Sequence, residues 1–395
     1  MHAPRTEAAA GTRLWTRNFL LVLAAMHLYF LSFFGTFTAL PLYLAGAADW
    51  EIGLVVGLQA AAAGVVRPYS GRLVDRYGRK PFQLWGALAS GLALAGHALT
   101  ADPYLLLPLR VLHGLAMSVF TTASLAMGAD AAPPGRRGEA MGYYTMINNL
   151  AQLYGPWLGL SVATALSFTS FFLAAGLSAA AAAALGLLLR EPPAVTAADP
   201  LRDPLVNRRA LLPTGVFLTA TIGYGAIQGF LALFAERAGL GNSGLFFIVF
   251  GGALVLVRVA AGVVSDRRGR LVVVVPGLVV AAGAMALLAS SQAALFLPAA
   301  ALFGAGFAMA HTGLLALTVD RAGEAQRGSA LATFVLAWDV GTLLGTLGMG
   351  LVAAVAGFGG VFGLAAALPL LGVWTLLLAR GPRGAAGQRT GWSRS

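Results

Sequence analysis

Cysteine is absent from these 395 residues, which rules out disulfides, thiolate metal sites and thiol nucleophiles. Charge is nearly as scarce, at 10% of positions where a soluble domain carries roughly a quarter. Lysine occurs once, at Lys80, and acidic residues number 15. No acid–base pair or nucleophile cluster stands out, so an enzyme is not expected. The doublets Gly251-Gly252 and Gly359-Gly360 lack the lysine spacing of a phosphate loop, and ATP hydrolysis is not supported. No cofactor is called for. His27, His113 and His311 are widely spaced without acidic companions, so no metal site is expected.

What the chain has instead is apolar sequence, with 58% of residues hydrophobic. Charges, prolines and glycine-rich breaks cut it into runs matching the roughly 20 residues of helix that cross a bilayer. They predict twelve spans, at 17–45, 51–71, 81–100, 103–128, 139–164, 166–189, 210–236, 241–264, 271–291, 293–318, 328–356 and 359–380. The runs are uninterrupted rather than alternating, which favours an all-α membrane protein over a barrel. The first run is too long for the apolar core of a cleaved signal and is expected to be retained.

With both termini on one side, 22 of the 26 basic residues collect there, only Arg237 falls opposite, and Arg67, Arg110 and Arg258 lie within spans. The positive-inside rule then places both termini in the cytoplasm. The net charge of +11 is dispersed over these loops and forms no basic face of the kind nucleic acid needs. Abundant arginine beside a single lysine points to a GC-rich bacterial genome, and so to a bacterial cytoplasmic (inner) membrane.

The chain also repeats itself. Arg67-x-x-x-Gly71-x-x-x-Asp75-Arg76-x-Gly78-Arg79 returns 191 positions later as Arg258-x-x-x-Gly262-x-x-x-Asp266-Arg267-x-Gly269-Arg270. At an offset of 190, Pro108 matches Pro298, Gly114 matches Gly304, and Asp130 matches Asp320. Two similar halves follow: a six-helix bundle over 1–190, a linker at 191–209, a second bundle over 210–380 and a tail at 381–395. Such repeats commonly form a ligand site where they meet.

The loop Gly71-Arg-Leu-Val-Asp75-Arg76-Tyr-Gly78-Arg79-Lys80 resembles motif A of the major facilitator superfamily, and Gly262 to Arg270 resembles its second copy. Arg110-Val-Leu-His113-Gly114 is similar to motif B, with His113 where a glutamine commonly stands. Gly142, Ala151, Gly155-Pro156 and Gly159 fall on the spacing of the antiporter motif C, with Ala151 and Leu160 replacing two of its glycines. The resemblance implies the major facilitator fold of two pseudo-symmetric six-helix bundles. It also implies a transporter, most simply a monomer, that passes a small-molecule substrate across lipid by alternating access in exchange for protons. Motif C implies export of drug-like compounds or metabolites, as in the multidrug antiporters. The alternative is a proton-driven importer or facilitator of sugars or other small metabolites.

Motif A implies a conformational latch built from Gly71, Asp75, Arg76, Gly78, Arg79 and Asp130, and again from Gly262, Asp266, Arg267, Gly269 and Asp320. Physically, Asp75 and Asp266 are suited to accept the free N–H groups of a neighbouring helix end. Arg76 or Arg72 can then pair with Asp130, and Arg267 with Asp320. The stripe Gly142, Ala151, Gly155, Pro156 and Gly159 suits tight helix packing, and in the family it faces the other half.

Ionisable groups at membrane depth normally face a cavity or a partner. Asp339 is the only acid well inside an apolar run, and its counterpart at the 190 offset is Asn149. It is either a proton-carrying carboxylate or the partner of a buried arginine. Arg110, His113, His27 and His311 are the other proton-coupling candidates. Arg67 and Arg258 lie about one turn inward of their motif A glycines, where either can snorkel to the cytoplasmic surface, and both are read as structural. Tyr29, Gln59, Asn148, Asn149, Gln152, Tyr224, Gln228 and Trp338 are candidates for the substrate cavity or for interhelical hydrogen bonds.

Overall fold

The apolar runs form helices in chain order: α1 (Arg17–Tyr43), α2 (Asp49–Tyr77), α3 (Arg79–Gly96), α4 (Pro103–Asp130), α5 (Arg137–Ala165) and α6 (Phe168–Leu187). After the central segment come α7 (Leu211–Arg237), α8 (Ser243–Arg268), α9 (Leu271–Ala289), α10 (Ala293–Ala322), α11 (Arg327–Leu343) and α12 (Met349–Ala379). The computed structural model describes residues 14–133, 136–191, 206–322 and 326–379. Most of the linker, the tail at 381–395 and the basic residues Arg5 and Arg13 lie outside the described residues.

Short polar side chains fix several starts. Thr16 accepts the Phe19 N–H ahead of α1, Asp102 those of Tyr104 and Leu105 ahead of α4, and Asn242 that of Leu245 ahead of α8. Each satisfies donors that a first turn leaves free. Between α11 and α12 lies one π-helical stretch, Leu344–Gly348, and α12 itself breaks at Gly357, where φ is 65°. Among the described residues there is no strand, and nine helical runs are long and apolar enough to cross a membrane, the run 328–379 counting as one. Their outward faces are apolar, with Val355 91% and Leu256 77% exposed, a pattern suited to lipid rather than water.

α1 packs on α5 and α6, α2 on α4, and α3 on α4 and α6; α7 packs on α11 and α12, α8 on α10, and α9 on α10 and α12. The two groups meet through α5 with α8, α2 with α11 and α12, and α1 with α7. The repeat is visible in the packing. A Cβ on Gly114 would sit 2.2 Å from the Gln59 carbonyl oxygen, and one on Gly304 would sit 2.2 Å from that of Phe250. Residues 59 and 250 are themselves 191 apart, so the same pair of helices is pressed together at the same point in each half. Any side chain there would force the backbones apart.

Both duplicated loops turn on a glycine with positive φ, 92° at Gly78 and 95° at Gly269, a region that costs glycine little. The first loop is pinned to the end of α6. Glu191 accepts the backbone N–H groups of Arg79 and Lys80, and Lys80 Nζ donates to the carbonyls of Leu187 and Leu189 at 2.8 Å each. An acid at a helix N-terminus and a cation at a C-terminus both complement the helix dipole. Asp75 does not take this capping role. It is exposed and has no hydrogen bond or ion pair among the described residues, because Gly78 turns the start of α3 against Glu191.

Candidate functional site: the cavity between the halves

A cavity of about 410 Å³ lies between the two groups of helices. Its walls include aromatic rings from Phe30, Phe33, Phe34 and Phe37 of α1, Tyr224 of α7 and Trp338 of α11. Gln59, Asn148, Asn149, Gln152 and Gln228 supply polar groups to the same walls. A mostly apolar pocket with a few placed polar groups is the usual form of a small-molecule site. Of the cavity candidates, only Tyr29 stands elsewhere. It is fully buried among α1, α3 and α4, where its hydroxyl meets Ser90 at 2.8 Å and its ring stacks on Phe120.

The charged groups of the cavity are Arg67, Arg258 and Asp339. Arg67 of α2 grips Asp339 of α11 through two bonds, Nε to Oδ2 at 2.5 Å and Nη2 to Oδ1 at 2.9 Å. This ion pair joins the two halves across the cavity. Arg258 of α8 reaches Asn149 of α5 at 3.5 Å and lies 3.4 Å from His311 Nδ1. Neither arginine snorkels, since each has a polar partner at cavity depth, on the opposite half. The sequence held a signal for this: Arg67 and Arg258 correspond in the repeat, as do Asn149 and Asp339. Gln152 of α5 also bonds across the halves, donating to the Tyr224 hydroxyl at 2.6 Å.

The other proton-coupling candidates divide. His311 lines the cavity and packs against Phe217, Phe334 and Trp338. Arg110 and His113 are buried between α2 and α4, away from the cavity. Arg110 donates to the carbonyls of Val55 at 2.9 Å and Val56 at 3.1 Å, and to Gln59 Oε1 at 3.3 Å. Backbone acceptors satisfy it, so its role is to pin α4 to α2. His27 lies between α1 and α5, bonded to the Tyr154 hydroxyl and near the Ile147 carbonyl.

The antiporter-motif stripe also differs from expectation. A Cβ on Gly159 would lie 2.5 Å from the Gly35 carbonyl oxygen, and one on Gly155 3.0 Å from Phe34 Cβ, so both glycines pack on α1 of their own half. Ala151 is buried, the Pro156 carbonyl accepts the Thr38 hydroxyl at 2.6 Å, and Gly142 touches nothing. The α5 face that meets the other half carries Leu153 and Trp157, which press on Gly251 and Gly244 of α8. Residues two positions from the stripe point to the other side of a helix, and the small residues of this interface sit on α8 instead.

The cavity is closed at one end. Arg237 Nη1 lies 2.8 Å from Asp49 Oδ1, and Cβ atoms on Gly53 and Gly57 of α2 would meet Thr346 at 2.5 and 2.4 Å. At the end carrying the duplicated loops the helices stand apart. A Cβ on Gly71 or Gly142 would meet nothing within 4 Å, and one on Gly262 only Thr312 at 4.0 Å. A second hollow leads that way, from Thr145, Arg258 and His311 to Asp266 and Asp320.

The loop charges pair within their own halves, and through different arginines from those expected. Arg79, not Arg76 or Arg72, lies 2.8 Å from Asp130, in an ionic contact lacking hydrogen-bond alignment. Arg270, not Arg267, lies 2.7 Å from Asp320 and also bonds Asp266. These two carboxylates, Asp320 foremost, hold the Arg270 guanidinium above its usual range. In both loops the residue after the turning glycine faces α4 or α10, whereas Arg76 and Arg267 end the preceding helix on its exposed side.

Comparison with known proteins places the chain. The family model described as Major Facilitator Superfamily matches residues 22–346 and 244–394. The staphylopine export protein of Staphylococcus aureus is 25% identical over 370 residues, covering 88% of this chain and 92% of that one. A multi-drug resistance efflux pump PmrA homolog of Lactococcus lactis is 32% identical over 168 residues, 41% of each chain. Among solved structures, a mutant of the nucleoside transporter NupG superposes with a TM-score of 0.77 at 14% identity, over 92% of this chain and 99% of that one. A D-xylose-proton symporter gives 0.74 at 16% identity, over 90% and 96%.

Proposed function

The chain belongs to the major facilitator superfamily, an integral membrane transporter by family and fold, and on that premise we propose that it exports small organic molecules by alternating access, driven by proton influx. Two six-helix bundles, 1–190 and 210–380, rock against each other around the cavity, joined by the linker at 191–209. Twelve crossings follow if α11 runs through its π-helical stretch to Gly357 and the last crossing begins there. With both termini cytoplasmic, the open end faces the cytoplasm.

The observation that carries this reading is the Arg67–Asp339 pair. Among the described residues it is the one ion pair in the cavity wall, it spans the halves, and it holds the only cavity carboxylate. A proton delivered to Asp339 from outside removes the carboxylate charge and releases Arg67, and loss of that proton to the cytoplasm restores the grip. Closing the loop end brings α2 and α5 towards α11 and α8, where the open flanks of Gly71, Gly142 and Gly262 leave room. Asp75, without a partner among the described residues, then gains one. Relatives named as an export protein and an efflux pump support the outward direction.

The test is flux in proteoliposomes holding the purified protein, using compounds found by thermal-shift screening. Export coupling predicts that an inward proton gradient drives substrate out and that substrate drives protons in. Movement of both in the same direction would establish instead the importer reading, which shares this cavity. Flux indifferent to the pH gradient would remove proton coupling.

A further inference from the structure

We propose that the cavity selects organic monoanions, and that Arg258 receives their anionic group with Asn149 and His311 beside it. This rests on the transporter reading above and adds the class of substrate.

The charges of the cavity do not balance. Two arginines and one aspartate face it, and the aspartate is taken up by Arg67 in both of its oxygens. In the hollow beyond, Asp266 and Asp320 both belong to Arg270. Among the described residues Arg258 therefore has no carboxylate partner, because Asn149 stands on α5 where the matching position of α11 carries Asp339. Its own contacts are long, 3.5 Å to Asn149 and 3.4 Å to His311, and its Nε is buried with no partner. A charged group at membrane depth is costly without a counter-charge.

Arg110 shows what a purely structural arginine looks like in this protein. It is closed in by two backbone carbonyls and Gln59, and lines neither the cavity nor the hollow beyond it. Arg258 has no such carbonyl and lines both the cavity and the hollow that opens towards the loops. A guanidinium fork matches a carboxylate bidentately, and the Asn149 amide can donate to the same anion. One unbalanced charge suits one anionic group. The aromatic walls suit an apolar body, so the favoured ligand is a small amphipathic acid.

The probes are phenylbutyrate, phenylbutyramide and phenylbutylamine, which share a body and differ in charge. Binding is measured on the purified full chain by thermal shift and by tryptophan fluorescence. The wild type should bind the carboxylate at least tenfold more tightly than the amide or the amine. Asn149→Asp gives Arg258 the partner that Arg67 has, and should erase that preference, as should Arg258→Gln. Arg258→Lys should keep part of it and serves where the glutamine variant does not fold. Equal or tighter binding of the amine or amide, no binding of any of the three, or an unchanged preference in Arg258→Gln would overturn the proposal. Flux separates the two readings. Carboxylate binding that depends on Arg258, with no carboxylate flux in either direction with or without a pH gradient, would sink the proton-driven export reading alone. Flux confined to the amine or amide and independent of Arg258 would sink the anion site alone.

Discussion

Asp339 and Asn149 hold corresponding places in the two halves, yet Asp339 is locked onto Arg67 by two bonds while Asn149 only reaches Arg258 at 3.5 Å. A repeat that is geometrically symmetric is thus electrostatically lopsided. One side of the cavity carries a closed ion pair, and the other carries a cation with room for a ligand.

Replacing Asp339→Asn should abolish coupling to the pH gradient. It also strands Arg67, and breaking a buried pair typically costs about 3–5 kcal/mol. The Arg67 side chain is 20% exposed, so the loss of stability should fall below that range. The exchange Arg67→Asp with Asp339→Arg should recover the thermal midpoint without recovering coupling. Gradient-driven flux at the wild-type rate in Asp339→Asn would remove the residue from the mechanism.

Asp75→Asn should lower transport while leaving thermal stability unchanged, because Asp75 has no partner among the described residues in the arrangement open at the loop end. Its contact belongs to the closed state. Unaltered flux at normal protein levels would count against the latch.

Gly114→Ala and Gly304→Ala should each destabilise the protein by about 1–3 kcal/mol, the cost of overfilling a packed contact. In both, the new Cβ would lie 2.2 Å from a carbonyl oxygen that has no freedom to move alone. Gly142→Ala, with nothing within 4 Å, provides the comparison and should leave the melting midpoint of the detergent-purified protein where it was.

Arg237→Ala should loosen the closed end. The pair with Asp49 is partly exposed, at 42% and 19%, and exposed pairs contribute roughly 0.2–1 kcal/mol. That is enough to shift the balance of two conformations without unfolding either. The chain lacks cysteine, so a single Gly71→Cys reports the change cleanly: its maleimide labelling should slow when Arg237→Ala is added. Faster labelling would mean that the pair does not hold this end shut.

Much of the architecture was legible in sequence because bilayer crossing and duplication leave linear traces. Apolar length, the placement of arginine and the 191-residue echo need no tertiary information. The positive φ of Gly78 and Gly269 and the close approaches of Gly114 and Gly304 repeat where the sequence repeats. The cavity wall was partly legible too, since a polar side chain inside an apolar run must find a partner or a hollow. Tyr29 shows the limit of that rule, because Ser90 satisfies its hydroxyl inside one half.

Sequence alone, then, determined the all-helical character, most of the helix positions up to α10 and which residues are chemically out of place at membrane depth, whereas the predicted spans 328–356 and 359–380 are divided instead at the π-helical stretch Leu344–Gly348. Tertiary structure alone decided who meets whom: that Arg67 turns to Asp339 rather than to the surface, that Arg79 and not Arg76 reaches Asp130, and that Gly155 and Gly159 face α1. For the glycine stripe the reason is rotational, since a step of two positions carries a helical residue to the opposite side; for Arg79 it is the turn at Gly78; and the orientation of each helix against its neighbours is set by the packing of the whole bundle.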